Sequence, residues 1–265
     1  MKRSLLTLIF ILLFFPSNIF ALNNLPYDAS NLLQSDEFRL DLIQDTTSRK
    51  ENINLNLKNF SDSQAQSIFD HITNIIFYQS NMDIYSITMD GSVNGRTANL
   101  ILNLDYRMTK DENAKVDEWI KSKLDSFLAL SPTDLEVIKF VNDTIVKHVE
   151  YDTSYQKNSA YHAVFNKETL CEGYAFLTYK MLSYAGIDAK IISGVAASED
   201  HMWNLVKYED IWYHLDVTWN DPVYNTTFKK PLDFVSYDFF MLTDNQISKT
   251  HTWDKAFFPA LNPIN

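Results

Sequence analysis

A thiol, an imidazole and a carboxylate in that chain order can make a nucleophile, its base and the group that orients the base. Cys171, the only cysteine in the chain, opens LCEGYAFLTYKMLSYAG (170–186); His201 follows thirty residues later in HMWNLV, and Asp216 fifteen after that in WYHLDVTW. A thiol becomes a useful nucleophile when its pKa falls from ~8.5 towards neutrality, and a helix N-terminus or a nearby imidazolium favours the thiolate. The expectation is therefore a lowered thiol pKa at Cys171, with His201 exchanging the proton and Asp216 fixing the tautomer and orientation of His201. Against this stands the plain alternative: a lone cysteine is commonly a small buried hydrophobe. With six histidines in the chain, such an order can also arise by chance.

The neighbours of the three residues favour chemistry. Leu170-Cys171-Glu172-Gly173-Tyr174-Ala175, His201-Met202-Trp203-Asn204-Leu205-Val206 and Trp212-Tyr213-His214-Leu215-Asp216-Val217-Thr218-Trp219-Asn220-Asp221-Pro222 resemble the transglutaminase-like superfamily, and in particular its bacterial, secreted branch. The upstream run SAYHAVF and the downstream run FFMLTDNQISKTHTWD are similar to the same branch, so the resemblance covers about residues 133–255. It implies an α+β fold with a papain-like core, in which the nucleophile helix packs on an antiparallel sheet. It also implies Cys171 as nucleophile, His201 as base and Asp216 as orienter. His162 departs from the pattern, standing where a small residue is expected, and is expected to narrow the cleft.

Other residues near the three admit two readings each. His214, two residues before Asp216, suggests with His201 a metal site. No Cys-x-x-Cys or His-Glu-x-x-His spacing accompanies it, and a closed zinc site needs four ligands where these segments offer three. No metal and no cofactor is expected, and His214 is read as a hydrogen-bonded side chain flanking the cleft. Trp203 and Trp219 are either plain core or walls of an acyl-binding cleft, and Tyr174 is grouped with them around the site. Glu172 lies in the first helical turn, where a carboxylate suits the helix dipole. Asn204 points to the opposite face.

These residues need a helix and two strands to bring them together. Ala189–Val195, Met202–Tyr208 and Ile211–Trp219 read as strands, with Glu209-Asp210 as a tight hairpin connection. A two-residue turn there sets Asp216 opposite Trp203 and makes His201 its diagonal neighbour on the same face, roughly 7–8 Å away at the backbone. A one-residue slip would put His201 and Asp216 on opposite faces. The nucleophile helix is expected to end at Gly186. Ser131-Pro132 signals an earlier helix, with Pro at its first position. Further upstream, Ile53, Leu55 and Leu57 alternate as a strand, and Ser61 with Gln64 forms a capping box for a helix carrying Ile68, Ile72, Ile75 and Ile76. Two more strand-like runs follow around Ile87 and Leu100, with Asp90-Gly91 and Asn94-Gly95 as turn chemistry, then a helix through Val116, Trp119, Ile120 and Phe127. Residues 22–44 show no periodicity and read as an extended lead-in. The chain thus divides into a signal peptide (1–21), a small α+β unit (22–130) and a catalytic unit (131–265).

Lys2 and Arg3 followed by the apolar run Leu5–Phe15 and the small residue Ala21 read as a secretory signal, the run being shorter than the ~20 residues a membrane span needs. Its removal takes the net charge from −11 to −13. An acidic surface of that size disfavours nucleic acid and anionic membrane as partners. A protein or peptide substrate is the expected partner. The chemistry expected is attack of Cys171 on a carboxamide or peptide carbonyl to give a thioester, with the Cys171 backbone N–H as an oxyanion donor. An amine acceptor makes the enzyme an acyltransferase and water makes it a cysteine peptidase or amidase, for instance on cell-envelope peptides. A non-catalytic interaction module is the remaining reading.

Overall fold

The computed structural model describes residues 26–79, 83–221 and 234–255; the signal peptide expected at 1–21 and Pro222 lie outside them. Alternation decides the first sheet. In β2 (Asn52–Lys58) Ile53, Leu55 and Leu57 are buried while the intervening asparagines face outward. The order is β1 (Tyr27–Asp28), β2, β4 (Thr97–Tyr106) and β3 (Ile84–Asn94), with β4 antiparallel to both neighbours. Asp90-Gly91 is not a turn but lies inside β3. A Cβ on Gly91 would stand 2.3 Å from Asn99 O, so the missing side chain serves the close approach of β4. Ser61 and Gln64 do form a capping box, which leads through a 3₁₀ turn into α2 (Ala65–Asn74).

The lead-in expected up to residue 44 contains α1 (Asp36–Thr47), capped by Ser35, whose hydroxyl accepts the Phe38 N–H at 3.2 Å. Its buried stripe is only Phe38 and Leu42 followed by Asp45 and Thr46, too short and too polar to show as apolar periodicity. These elements enclose a first core that runs from Ala29 to Leu104.

A second core begins at Met108. α3 (Lys110–Leu128), grouped by sequence with the first unit, places Val116, Ile120 and Leu124 in this second core beside α4 (Asp134–His148) and α5 (Cys171–Tyr184). α4 starts two residues later than Pro132 suggested. Thr133 is its N-cap, exchanging hydrogen bonds with Glu136, and this reciprocal box sets the first turn. Between α4 and α5 the short strands β5 (Glu150–Tyr151) and β6 (Glu168–Thr169) pair in parallel. α5 is followed by Gly186 at φ +79°.

α5 packs on an antiparallel sheet of order β10-β7-β8-β9, made of β7 (Ala189–Ala196), β8 (Glu199–Tyr208), β9 (Ile211–Leu215) and, after the short α6 (Asp244–Ile247), β10 (His251–Trp253). The fold is α+β, as expected, with the cysteine helix against an antiparallel sheet. β9 stops at Leu215 rather than running to Trp219. Asp216 instead begins a turn in which its Oδ1 accepts the Trp219 N–H at 3.1 Å and its carbonyl accepts the Asn220 N–H at 3.1 Å.

Candidate active site

Cys171 is the first residue of α5. The chain is held at this entry by Leu170 N–H donating to Lys157 O at 2.6 Å, and by Gly173, where a Cβ would lie 1.9 Å from Thr169 Oγ1. The N–H groups of Cys171 and Glu172 donate no hydrogen bond among the described residues, which leaves first-turn donors beside the sulfur. The thiol is 8% exposed and donates to Glu172 Oε2 at 3.4 Å. Glu172 is therefore a partner of the thiol as well as a first-turn acid. Its other oxygen lies 3.7 Å from the buried Nη1 of Arg107, which enters from just after β4.

The expectation of a lowered thiol pKa does not hold. Burial, then the Glu172 carboxylate, push the Cys171 thiol up to about 12, and a hydrogen bond from the Met202 backbone offsets this only in part. In the resting arrangement the sulfur is a neutral thiol.

The hairpin has the register that places His201 beside Asp216. Asn204 pairs with Leu215 and Tyr208 with Ile211, around Glu209 and Asp210 at φ +49° and +62°. His201 Nε2 lies 2.7 Å from Asp216 Oδ2. The carboxylate can only accept, so Nε2 carries the hydrogen and Nδ1 is left with a lone pair. That Nδ1 has no hydrogen-bond partner among the described residues. Asp216 is fully buried, and burial alone would raise its carboxyl. Hydrogen bonds from His201 and from His251, whose Nε2 stands 3.0 Å from the same oxygen, hold it below the ordinary value.

His251 is the residue that sequence reasoning missed. It opens β10, a three-residue strand whose length carries no periodic signal, and it sits 35 residues from Asp216. The only trace in the sequence is its place in the THTWD run. His201, Asp216 and His251 offer three possible metal-ligand atoms within 4.8 Å of one another. The 2.7 and 3.0 Å separations are those of N–H···O bonds to one oxygen, and a metal would need both imidazoles to give up that hydrogen.

The remaining candidates sort differently. Trp203 is buried and stacks on His201, centroids 5.8 Å apart, which restrains the imidazole from behind rather than walling the cavity. Its Nε1–H donates to His214 Nδ1 at 2.9 Å, and His214 Nε2 donates to Asp244 Oδ1 at 3.0 Å. His214 is thus hydrogen-bonded as expected but does not flank the cleft; burial pushes its pKa down to about 4. Trp219 is half-buried, with its ring 5.9 Å from that of His201. Tyr174 does not reach the cavity; its hydroxyl donates to Asp221 Oδ2 at 2.5 Å and ties the first turn of α5 to the turn after Asp216. His162 is hydrogen-bonded to Ser159 Oγ at 3.0 Å and is absent from the cavity wall, so it narrows nothing. Asn204 donates to Ala175 O at 3.1 Å, fastening β8 to α5.

Cys171 and His201 line one cavity of about 770 Å³, together with Glu172, Tyr151, Gly194 and Trp253. A second, of about 340 Å³, reaches His201 from the side of Tyr155, Trp219 and Asp221. The chemistry available at the larger cavity is that of a buried thiol, an imidazole with one free nitrogen, and unpartnered backbone N–H groups at a helix start.

Comparison with known proteins agrees with this inventory. Residues 121–217, which contain Cys171, His201 and Asp216, match the core-domain model of the transglutaminase-like superfamily. The chain is 27% identical over 163 residues to the kyphoscoliosis peptidase of Mus musculus, covering 53% of this chain and 24% of the mouse protein. It is 28% identical over 129 residues to the Homo sapiens kyphoscoliosis peptidase, 42% of this chain and 19% of the human protein. This chain thus spans about a quarter or less of the length of those relatives. Among solved structures, a TGase aligns over 73% of this chain and 60% of its own, at 13% identity and a TM-score of 0.38.

Proposed function

We propose that this transglutaminase-like core performs thiol-dependent acyl transfer or hydrolysis on protein or peptide carboxamides through a Cys171 thioester. The observation that carries the reading is the division of labour on His201. Nε2 is committed to Asp216, while Nδ1, without a partner among the described residues, belongs to a ring that shares a cavity wall with Cys171.

Because the resting thiol is neutral, proton transfer accompanies attack rather than preceding it. The Cys171 proton passes to His201 Nδ1 as the sulfur bonds to the carbonyl carbon. The charge developing on the carbonyl oxygen is met by the N–H groups at the start of α5. As the C–N bond breaks, the His201 imidazolium gives its proton to the leaving nitrogen, and Asp216 stabilises the imidazolium throughout. An amine or water then attacks the thioester, with His201 taking the acceptor's proton and returning it to the sulfur.

With an amine acceptor the chain is an acyltransferase. With water it is a cysteine peptidase or amidase, a reading favoured by the peptidase names of the mouse and human relatives. An interaction module without catalysis would have no use for the His201–Asp216 pairing beside a thiol. The same proposal includes export through residues 1–21, which N-terminal sequencing of secreted protein tests; retention of those residues in the membrane fraction would refute it. The test of the chemistry is incubation of the full chain with a glutamine donor and a labelled amine, with and without Cys171→Ala. Labelled product or released acid that depends on Cys171 supports the reading, and neither product under any substrate tried sinks it.

A further inference from the structure

We propose that His251 is a fourth member of the site, a positioning residue that holds the Asp216 carboxylate against His201. The effect on rate rests on the acyl-transfer reading; the geometry does not. Asp216 lies just beyond the end of β9, its backbone N–H donating to Phe239 O at 3.0 Å, so its carboxylate is placed by the hydrogen bonds its two oxygens accept. Its Oδ1 is tied to the turn by the Trp219 N–H at 3.1 Å. Its Oδ2 receives two imidazoles from two other strands, His201 on β8 at 2.7 Å and His251 on β10 at 3.0 Å.

The tautomer of His251 follows from the carboxylate it faces. Asp216 Oδ2 can only accept, so in the neutral ring His251 Nε2 is the protonated nitrogen, and the Thr250 hydroxyl, 2.8 Å from Nδ1 and 3.2 Å from Ile247 O, has Nδ1 as an acceptor within reach. Nδ1 then accepts and Nε2 carries the hydrogen that points at Asp216. The ring itself cannot swing. It is fully buried, with the rings of Trp219, Trp203 and Phe239 at 4.6, 5.0 and 5.7 Å. An aromatic cluster of this kind is filled more cheaply by a phenylalanine than by a polar ring, which must be hydrogen-bonded to be tolerated. What the imidazole adds is a donor, aimed at the oxygen that also receives His201.

The role makes the segment beyond the matched core, which ends at residue 217, part of the catalytic assembly. β10 pairs with β7, and His251 sits opposite Ala196 at the edge of the sheet, from where it reaches across to the end of β9. Pulling β10 away would leave His201 with an unsupported partner.

The experiment uses the full chain with ¹⁵N-labelled histidine and reads the low-field Nε2–H proton of His201 beside turnover on a glutamine donor. His251→Gln returns an amide donor near the Nε2 position and is expected to keep the His201 resonance and the rate. His251→Asn stops short of Asp216. It is expected to lose that resonance to exchange and to lower kcat by about ten- to a hundredfold with little change in KM, the scale of a small misplacement of a catalytic group. Thr250→Val keeps the ring and removes only the hydroxyl beside its Nδ1, and should move the His201 resonance the same way by less. Should His251→Asn not fold, the Thr250→Val and His251→Gln pair decides. A His201 resonance unchanged in His251→Asn or, failing that, in Thr250→Val overturns the proposal, as does a His251→Gln protein as impaired as His251→Asn. If the wild type shows the resonance and no turnover on any carboxamide, acyl transfer fails while the resonance comparison still decides the positioning role.

Discussion

His201–Asp216 and His214–Asp244 are the same pair of residue types, both with histidines buried on one hairpin and both at hydrogen-bond distance, 2.7 and 3.0 Å. They differ in the second ring nitrogen. His214 has both nitrogens satisfied by protein, Nδ1 by the Trp203 N–H and Nε2 by Asp244, and burial keeps it neutral with a pKa down to about 4. His201 has one nitrogen fixed by Asp216 and the other without a partner among the described residues, at the wall of a cavity it shares with Cys171. A buried histidine–aspartate pair is ordinary structure when closed on both sides. Left open on one side, beside a thiol, the same pair keeps the lone pair that a base needs.

The comparison breaks first at the proposed nucleophile. Cys171→Ala should abolish thioester formation and all turnover, with the melting temperature kept or raised, because a buried thiol against a carboxylate is replaced by a methyl. Turnover that survives the change would remove the reason for calling His201 the open member of the pair. Next comes the exchange of carboxylates. Asp216→Asn should keep the fold and lose on the order of 10⁴ in rate, the scale of the corresponding change in a serine triad. Asp244→Asn, its counterpart at the closed pair, should stay close to wild-type turnover per folded molecule. Equal losses in the two variants would erase the distinction.

Acid separates the pairs by stability. The folded value of His214 is depressed from 6.5 to about 4, so below pH 6.5 the unfolded chain takes up a proton that the folded chain refuses. The contribution is present in full above pH 6.5 and is lost as pH falls towards 4, up to about 3 kcal/mol in total. Urea titrations at several pH values in that window, with His214→Gln as control, measure it; an equally steep acid loss in the control would assign the effect to other groups. The smallest effect sharpens the open side. Glu172→Gln removes the charge that, after burial, does most to raise the thiol pKa, and alkylation by iodoacetamide at mildly alkaline pH should quicken by about tenfold as the profile moves to lower pH. An unmoved profile would mean that burial alone holds the proton on sulfur.

The two large cores of the chain show why some of this was legible in sequence. Helix α5 was readable because Cys171 opens an apolar run closed by Gly186, and the pairing of His201 with Asp216 was readable because Glu209-Asp210 fixes the hairpin register by counting. Strand β2 was readable from strict alternation. Helix α1 was not, since two buried apolar residues make no stripe; nor was the membership of α3 in the second core, because an amphipathic pattern says that one face is buried but not against what.

Local residue patterns therefore determined most of the elements, the order of thiol, imidazole and carboxylate along the chain, and the face on which the last two meet. Periodicity, turn chemistry and register act over a few residues and are written in the order of the chain. Only the tertiary structure decided that Glu172 accepts the thiol's hydrogen bond, that burial holds that thiol neutral at rest, and that His251 shares Asp216 with His201. Each of these depends on what surrounds a side chain in space: the rotamers two neighbouring side chains adopt at a helix start, desolvation, which needs the whole packed core, or a bond closed between residues 35 positions apart, which no local pattern encodes.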